Sequence, residues 1–221
     1  MINLDDNKEV QVLYQAMELE VRNLPDFYNQ DLRTFTTQVG ELYPEEQNKG
    51  ILFYGRATNG WDDSCHEKIE DILWGQTRRP FFNLIYHLGR EYYGDDYCYS
   101  VAWGNISKIT LNGGNPSDKL WYAQYSGMRR IIRKEIEILS PEIIVLVTGD
   151  TAGGHWEAPF FEEFPDLKEV EHIVWAISRG KECTATLFVN DSFKVVVTDR
   201  PESRPIRPHA RALLQLLQKE Q

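Results

Sequence analysis

The stretch Ile51-Leu52-Phe53-Tyr54, running straight into Gly55-Arg56-Ala57-Thr58-Asn59-Gly60-Trp61-Asp62-Asp63, decides how the rest of the chain is read. Four consecutive apolar residues with no polar alternation are the pattern of a strand buried on both faces of a parallel sheet. The glycine-rich polar string behind it is then a loop at the sheet's carboxyl edge. Three more runs repeat the plan: YSVAW (99–103), IIVLV (143–147) and FKVVV (193–197).

Helical stripes separate the runs. Phe81, Leu84, Ile85, Leu88 and Tyr92 form one, and Leu120, Ala123, Met128, Ile131, Ile132, Ile136 and Leu139 form a longer one that Ser140-Pro141 ends. Ile206, Ala210, Leu213, Leu214 and Leu217 give a closing helix. Strands alternating with helices predict an α/β fold, a three-layer α/β/α arrangement around a central, mostly parallel four-stranded sheet. HIVWAI (172–177) and TATLFV (184–189) read as an added hairpin, with Asn190-Asp191-Ser192 turning the second back into FKVVV.

Before the first run, Val10, Leu13, Tyr14, Met17, Val21 and Leu24 recur at helical spacing until Pro25, and 31–42 is a candidate second helix. We read 1–48 as an N-terminal helical extension packed on one domain spanning 49–221.

Composition bounds the function. The 221 residues are 42% hydrophobic and 12% aromatic, enough for a core. No apolar run approaches the roughly 20 residues of a membrane helix, and MINLDDNKEV lacks the basic and apolar regions of a secretory signal. Cys65, Cys98 and Cys183 are odd in number and far apart, which argues against a disulfide framework or a cysteine metal site and favours a cytoplasmic location. Asp62, Asp63, Cys65, His66 and Glu67 are too close in sequence to face one ion from a helix, so neither a metal nor a cofactor is expected. Twenty-four basic against 34 acidic residues leave a net charge of -10, unfavourable for indiscriminate nucleic-acid binding. Acid gathers at Asp5, Asp6, Glu9, Glu18 and Glu20 and between Glu162 and Glu171. Base gathers at Arg129, Arg130, Arg133 and Lys134, and again at Arg200, Arg204, Arg207 and Arg211.

Ligands of an open parallel sheet bind beyond the strands' carboxyl ends, so the four following loops are where chemistry is expected. The first offers Gly55 for close backbone approach, Arg56, the amide of Asn59 and the stacking face of Trp61, while Asp62 and Asp63 serve equally well as helix caps. Asn105 follows the second run, where an amide pairs a donor with an acceptor and suits a base edge. His155 lies in the glycine-rich third loop, and Arg200 opens the fourth, with Arg207 and His209 beyond it. No GxxxxGK[ST] or GxGxxG string occurs.

In this order the loops resemble the uracil-DNA glycosylase superfamily over roughly residues 51 to 217. Gly55 matches the glycine that opens the family's first motif, Asn105 its base-reading asparagine within an Asn-x-x-Lys string, and Arg200-Pro201-Glu202-Ser203 its closing His-Pro-Ser loop. Ala57 stands where the family has its water-activating Asp or Asn, Thr58 replaces its proline, and Arg200 replaces its histidine. The resemblance implies hydrolysis of the N-glycosidic bond of uracil or a damaged base in DNA. Asn105 would read the flipped base against an aromatic such as Trp61, Asp62, Asp63 or Asn59 would replace the missing water-orienting group, and Arg200 would stabilise the leaving base. The alternative is a non-catalytic module of the same fold that binds a nucleotide or single-stranded nucleic acid. A third reading is an unrelated small-molecule α/β enzyme.

Overall fold

Runs that are apolar on both sides must be covered on both sides, and that requirement organises the chain. A computed structural model describes residues 2–47, 49–58, 69–75, 78–111, 113–149, 154–177, 182–202 and 204–218. In chain order they form α1 (Lys8–Arg22), β1 (Arg33–Thr34), β2 (Gln38–Val39), β3 (Gly50–Gly55), α2 (Ile69–Gly75), α3 (Pro80–Tyr93), α4 (Tyr97–Ser100), β4 (Val101–Asn105) and β5 (Ile109–Thr110). There follow α5 (Asp118–Leu139), β6 (Pro141–Leu146), α6 (Ala158–Phe161), β7 (Lys168–Ala176), β8 (Glu182–Val189), β9 (Lys194–Thr198) and α7 (Ile206–Leu217).

The fold is mixed α/β, with a mostly parallel central sheet flanked by helices. Its order is β2-β4-β3-β6-β9-β8-β7, and β4, β3, β6 and β9 run parallel. These four are built on the four apolar runs, except that Tyr99 and Ser100 of YSVAW belong to α4 and the strand begins at Val101. The sheet has seven strands rather than the four expected, because antiparallel strands extend both edges of that parallel middle. At one edge β7 and β8 form the added hairpin. Asn190 Oδ1 accepts from the backbone N–H of Ser192 and Phe193, turning β8 into β9.

Side chains alternate across the sheet and enter two cores. Leu52 and Tyr54 of β3 share one with Met17 of α1 and Ile131 and Ile132 of α5. Ile51 and Phe53 share the other with Leu84 and Ile85 of α3 and Leu213 of α7.

The helices begin and end where their chemistry directs. Asn7 caps α1 by accepting from Glu9 and Val10 N–H, and Ser117 caps α5 by accepting from Leu120 N–H. Helix α3 starts with Pro80 and stops at Gly94, whose φ is 60°. Residues 31–42 are not helical. Thr34, Thr36, Thr37 and Val39 are β-branched, which favours extended backbone. β1 pairs with β5, and β2 adds an antiparallel strand beside β4. Among the described residues no helix is long and apolar enough to cross a membrane.

Candidate functional site

The chain leaves β3 for β4 on one side of it and returns to β6 on the other. That reversal opens a crevice at the strands' carboxyl ends, the position at which open α/β sheets take ligands. A cavity of about 450 Å³ occupies it, lined by the ends of β3 and β4, by the loops that follow β3, β6 and β9, and by the first turn of α3. Its volume is in the range of small-ligand sites.

Backbone pairing continues past the strand ends and stitches the loops together. Ile106 N–H donates to Gly55 O at 2.9 Å, Ser107 N–H to Arg56 O at 2.9 Å, Val147 N–H to Tyr54 O at 2.8 Å and Gly149 N–H to Thr198 O at 3.0 Å. Gly149 has a φ of 88°, and a Cβ there would lie 2.7 Å from Arg200 and 2.9 Å from Arg56, so the loops after β3, β6 and β9 meet at one backbone point.

Asn105 is 3% exposed and lines the cavity, yet its Nδ2 has no hydrogen-bond partner. Its Oδ1 lies where a Cβ on Gly55 would come within 2.8 Å, so the glycine leaves room for the amide. Thr58, 1% exposed and also at the cavity, has an unpartnered Oγ1. Two buried polar groups without protein partners around one cavity are expensive unless a ligand or water completes them.

Aromatic surface lies alongside. Phe81 is half-buried at the cavity, its ring 6.2 Å from Trp103, and Trp103 lies two residues before Asn105, on the same face of β4. Arginines complete the lining. Arg56 donates from Nε to Thr148 O and lies 5.3 Å over the Trp156 ring. Arg200 pairs with Glu202 at 2.5 Å, and Arg79 is exposed beside Pro80.

The loop carrying Asn105 is braced from behind. Gln124 Oε1 accepts from Lys108 N–H at 3.0 Å and Ile109 N–H at 2.8 Å, while its Nε2 donates to Ser107 Oγ and Ile109 O. Lys108, the lysine of the Asn-x-x-Lys string, is wholly buried with Nζ 2.7 Å from Glu135. The same carboxylate accepts from Tyr54 at 2.5 Å and Tyr14 at 3.0 Å. Burial pulls the Lys108 ammonium below its ordinary range against the opposing pull of Glu135. Lys108 is therefore a structural brace.

Of the sequence candidates, Gly55, Arg56, Asn105 and Arg200 come together at the cavity. His155 does not join them. Its exposed ring packs 4.4 Å from that of Trp121, beside Trp156 and Tyr122. Arg207 faces a second groove between α3 and α7. His209, two residues on and so about 200° around the helix, points into the core. Its Nε2 lies 2.8 Å from Thr198 Oγ1, which itself donates to Thr184 O, so Nε2 carries the proton. Burial and then Arg204 lower its pKa to about 4, leaving it neutral near pH 7. Asn59, Trp61, Asp62 and Asp63 lie outside the described residues.

Sequence reasoning missed Thr58, Arg79, Phe81 and Trp103. Two signals were available: Pro80 marks the first turn of a crossover helix, which abuts the rim, and the two-residue period of a strand places Trp103 with Asn105. Among the described residues no three His, Cys, Asp or Glu side chains gather as a metal site would need. Compared with models of protein families the chain matches none, and no curated protein is detectably similar to it.

Proposed function

We propose that the cavity binds a nucleobase turned out of a DNA strand and that the protein is a glycosylase-like hydrolase of its N-glycosidic bond. The carrying observation is the unpartnered Asn105 amide, buried at a cavity with Phe81 beside it and arginines around it. Nδ2 donates to a keto oxygen of the base and Oδ1 accepts from the neighbouring ring N–H, the paired pattern of a uracil-like edge. Phe81 supplies the apolar surface and Arg200 faces the charge that develops on the leaving base. On this reading the sheet is the middle of three α/β/α layers, and its loops form the DNA-facing rim.

One feature favours the reading as a module that binds without chemistry. Ala57 cannot orient water, and Glu202, a carboxylate at the cavity, is engaged by Arg200.

Oligonucleotides bearing uracil, hypoxanthine or xanthine separate the two. We expect base release from one of them, reduced on the order of 100-fold in Asn105→Ala, about 2–3 kcal/mol for a lost hydrogen-bond pair. Asn105-dependent binding without release assigns the binding module. Neither release nor a preference among the bases overturns both.

A further inference from the structure

The first basic cluster is taken up by carboxylates of the acidic clusters. Arg129 pairs with Glu162 and Glu163, Arg130 with Glu20, Arg133 with Glu163, and Lys134 with Glu9 and Glu137. These pairs lock α1 and the segment after α6 onto α5, and their charge is spent within the fold. Arg22, Arg33, Arg90, Arg200 and Arg204 each have a carboxylate as well. By contrast, Arg78, Arg79, Arg207 and Arg211 have no carboxylate partner among the described residues. All four are exposed, and all lie on or beside the packed pair α3 and α7.

Between those helices is a groove of about 700 Å³. Arg207 and Arg211 line it from one face of α7, and His87, Arg90 and Glu91 line it from α3. His87 has its pKa lowered by burial and by the charges of Arg207 and Arg90, so these cations stand close together. Among the described residues Glu91 is the groove's one carboxylate. Helix α3 links the two sites: Phe81 is at the cavity and Arg90, nine residues on, is at the groove, about 14 Å along the axis at 1.5 Å per residue.

We propose that the α3–α7 groove is a track for the phosphates of the single strand whose base enters the cavity, with Arg207 and Arg211 as its principal contacts. This rests on the nucleic-acid reading of the cavity. Uncompensated arginines gathered on one pair of helices form a local attraction for phosphates in a protein of net charge -10. The backbone is thereby held a few nucleotides from the base pocket, which supplies register without reading sequence.

The test is the salt dependence of binding of a fluorescent single-stranded oligonucleotide carrying one uracil to the full chain. Replacing Arg207 and Arg211 together by Gln is expected to lower the slope of log K against log salt by about 1.4, roughly 0.7 per lost phosphate contact. The control pair Lys119→Gln and Arg130→Gln removes the same net charge from exposed positions elsewhere and leaves the slope unchanged. An unchanged slope in the Arg207/Arg211 variant, or an equal fall in the control, overturns the track. Asn105→Ala reports on the cavity independently: it abolishes the preference for uracil over cytosine, whose N3 has no proton and whose C4 carries an amino donor, and keeps the wild-type slope. A lowered slope in Arg207→Gln/Arg211→Gln with no base preference in the wild type keeps the phosphate contacts but overturns the track as stated, because no base is then delivered.

Discussion

A methyl group at Gly55 would lie 2.8 Å from Asn105 Oδ1 and 3.6 Å from the Phe81 ring. The atom in the way is the end of a side chain, so the fold can yield by turning the Asn105 amide aside. Gly55→Ala is accordingly expected to change stability by less than about 1 kcal/mol while reducing base binding at least tenfold, since the amide no longer presents its edge. Paired denaturant melts and titrations check both halves, and a variant that keeps full affinity would show that the amide does not read the ligand. Asn105 itself was legible because a lone amide closing an apolar strand has no packing role. Thr58 was not, because nothing in Ala57-Thr58 announces that the hydroxyl would be buried without a partner. Arg207 and His209 show the limit of reasoning by neighbourhood, since helical residues two apart in sequence do not share a face.

At the scale of elements, the parallel strands were legible because runs buried on both faces have no alternation to misread. The helices were legible from their stripes. What escaped was the edge of the sheet. Residues 31–42 are extended because β4 has an open side and Gly40 can press against the Tyr99 carbonyl, where a Cβ would come within 2.2 Å. No local pattern contains that partner. The brace behind Asn105 was equally hidden, as it joins Tyr14, Tyr54, Lys108 and Glu135 from four separate stretches. Removing one member of a buried ion pair leaves an uncompensated charge, so Lys108→Met is expected to cost about 3–5 kcal/mol. Adding Glu135→Gln removes the charge, its one amide oxygen accepting from Tyr54 while its NH2 donates to the Tyr14 oxygen, whose proton turns to Phe35 O, and should recover a large part of that loss. A double-mutant cycle by urea unfolding measures the coupling, and strictly additive costs would show that the pair does not act as a unit.

Among the described residues the molecule sorts its charges: carboxylates and cations pair across α1, α5 and the segment after α6, while arginines without a carboxylate partner collect along α3 and α7. Acid tests this arrangement in two windows. His209 has a folded pKa of about 4 against an ordinary 6.5, so between those values the unfolded chain binds a proton that the folded one refuses. Stability is then full above pH 6.5, falls as pH drops from 6.5 to 4, and loses nothing more to this group below 4. The loss is about 3 kcal/mol, from 2.5 pH units at 1.36 kcal/mol each. Glu163 acts lower down. Although burial opposes it, hydrogen bonds and charge from Arg133 and Arg129 hold its carboxyl below the usual range. Its contribution is present above pH 4.5 and disappears as pH falls through the folded value. His209→Gln can still bond Thr198 but cannot titrate, so its urea midpoint should fall less than that of the wild type between pH 6.5 and 4.5, the remaining slope including His87, whose pKa is also lowered. A slope in the upper window that is undiminished in His209→Gln would assign the loss to other groups and remove His209 as its source.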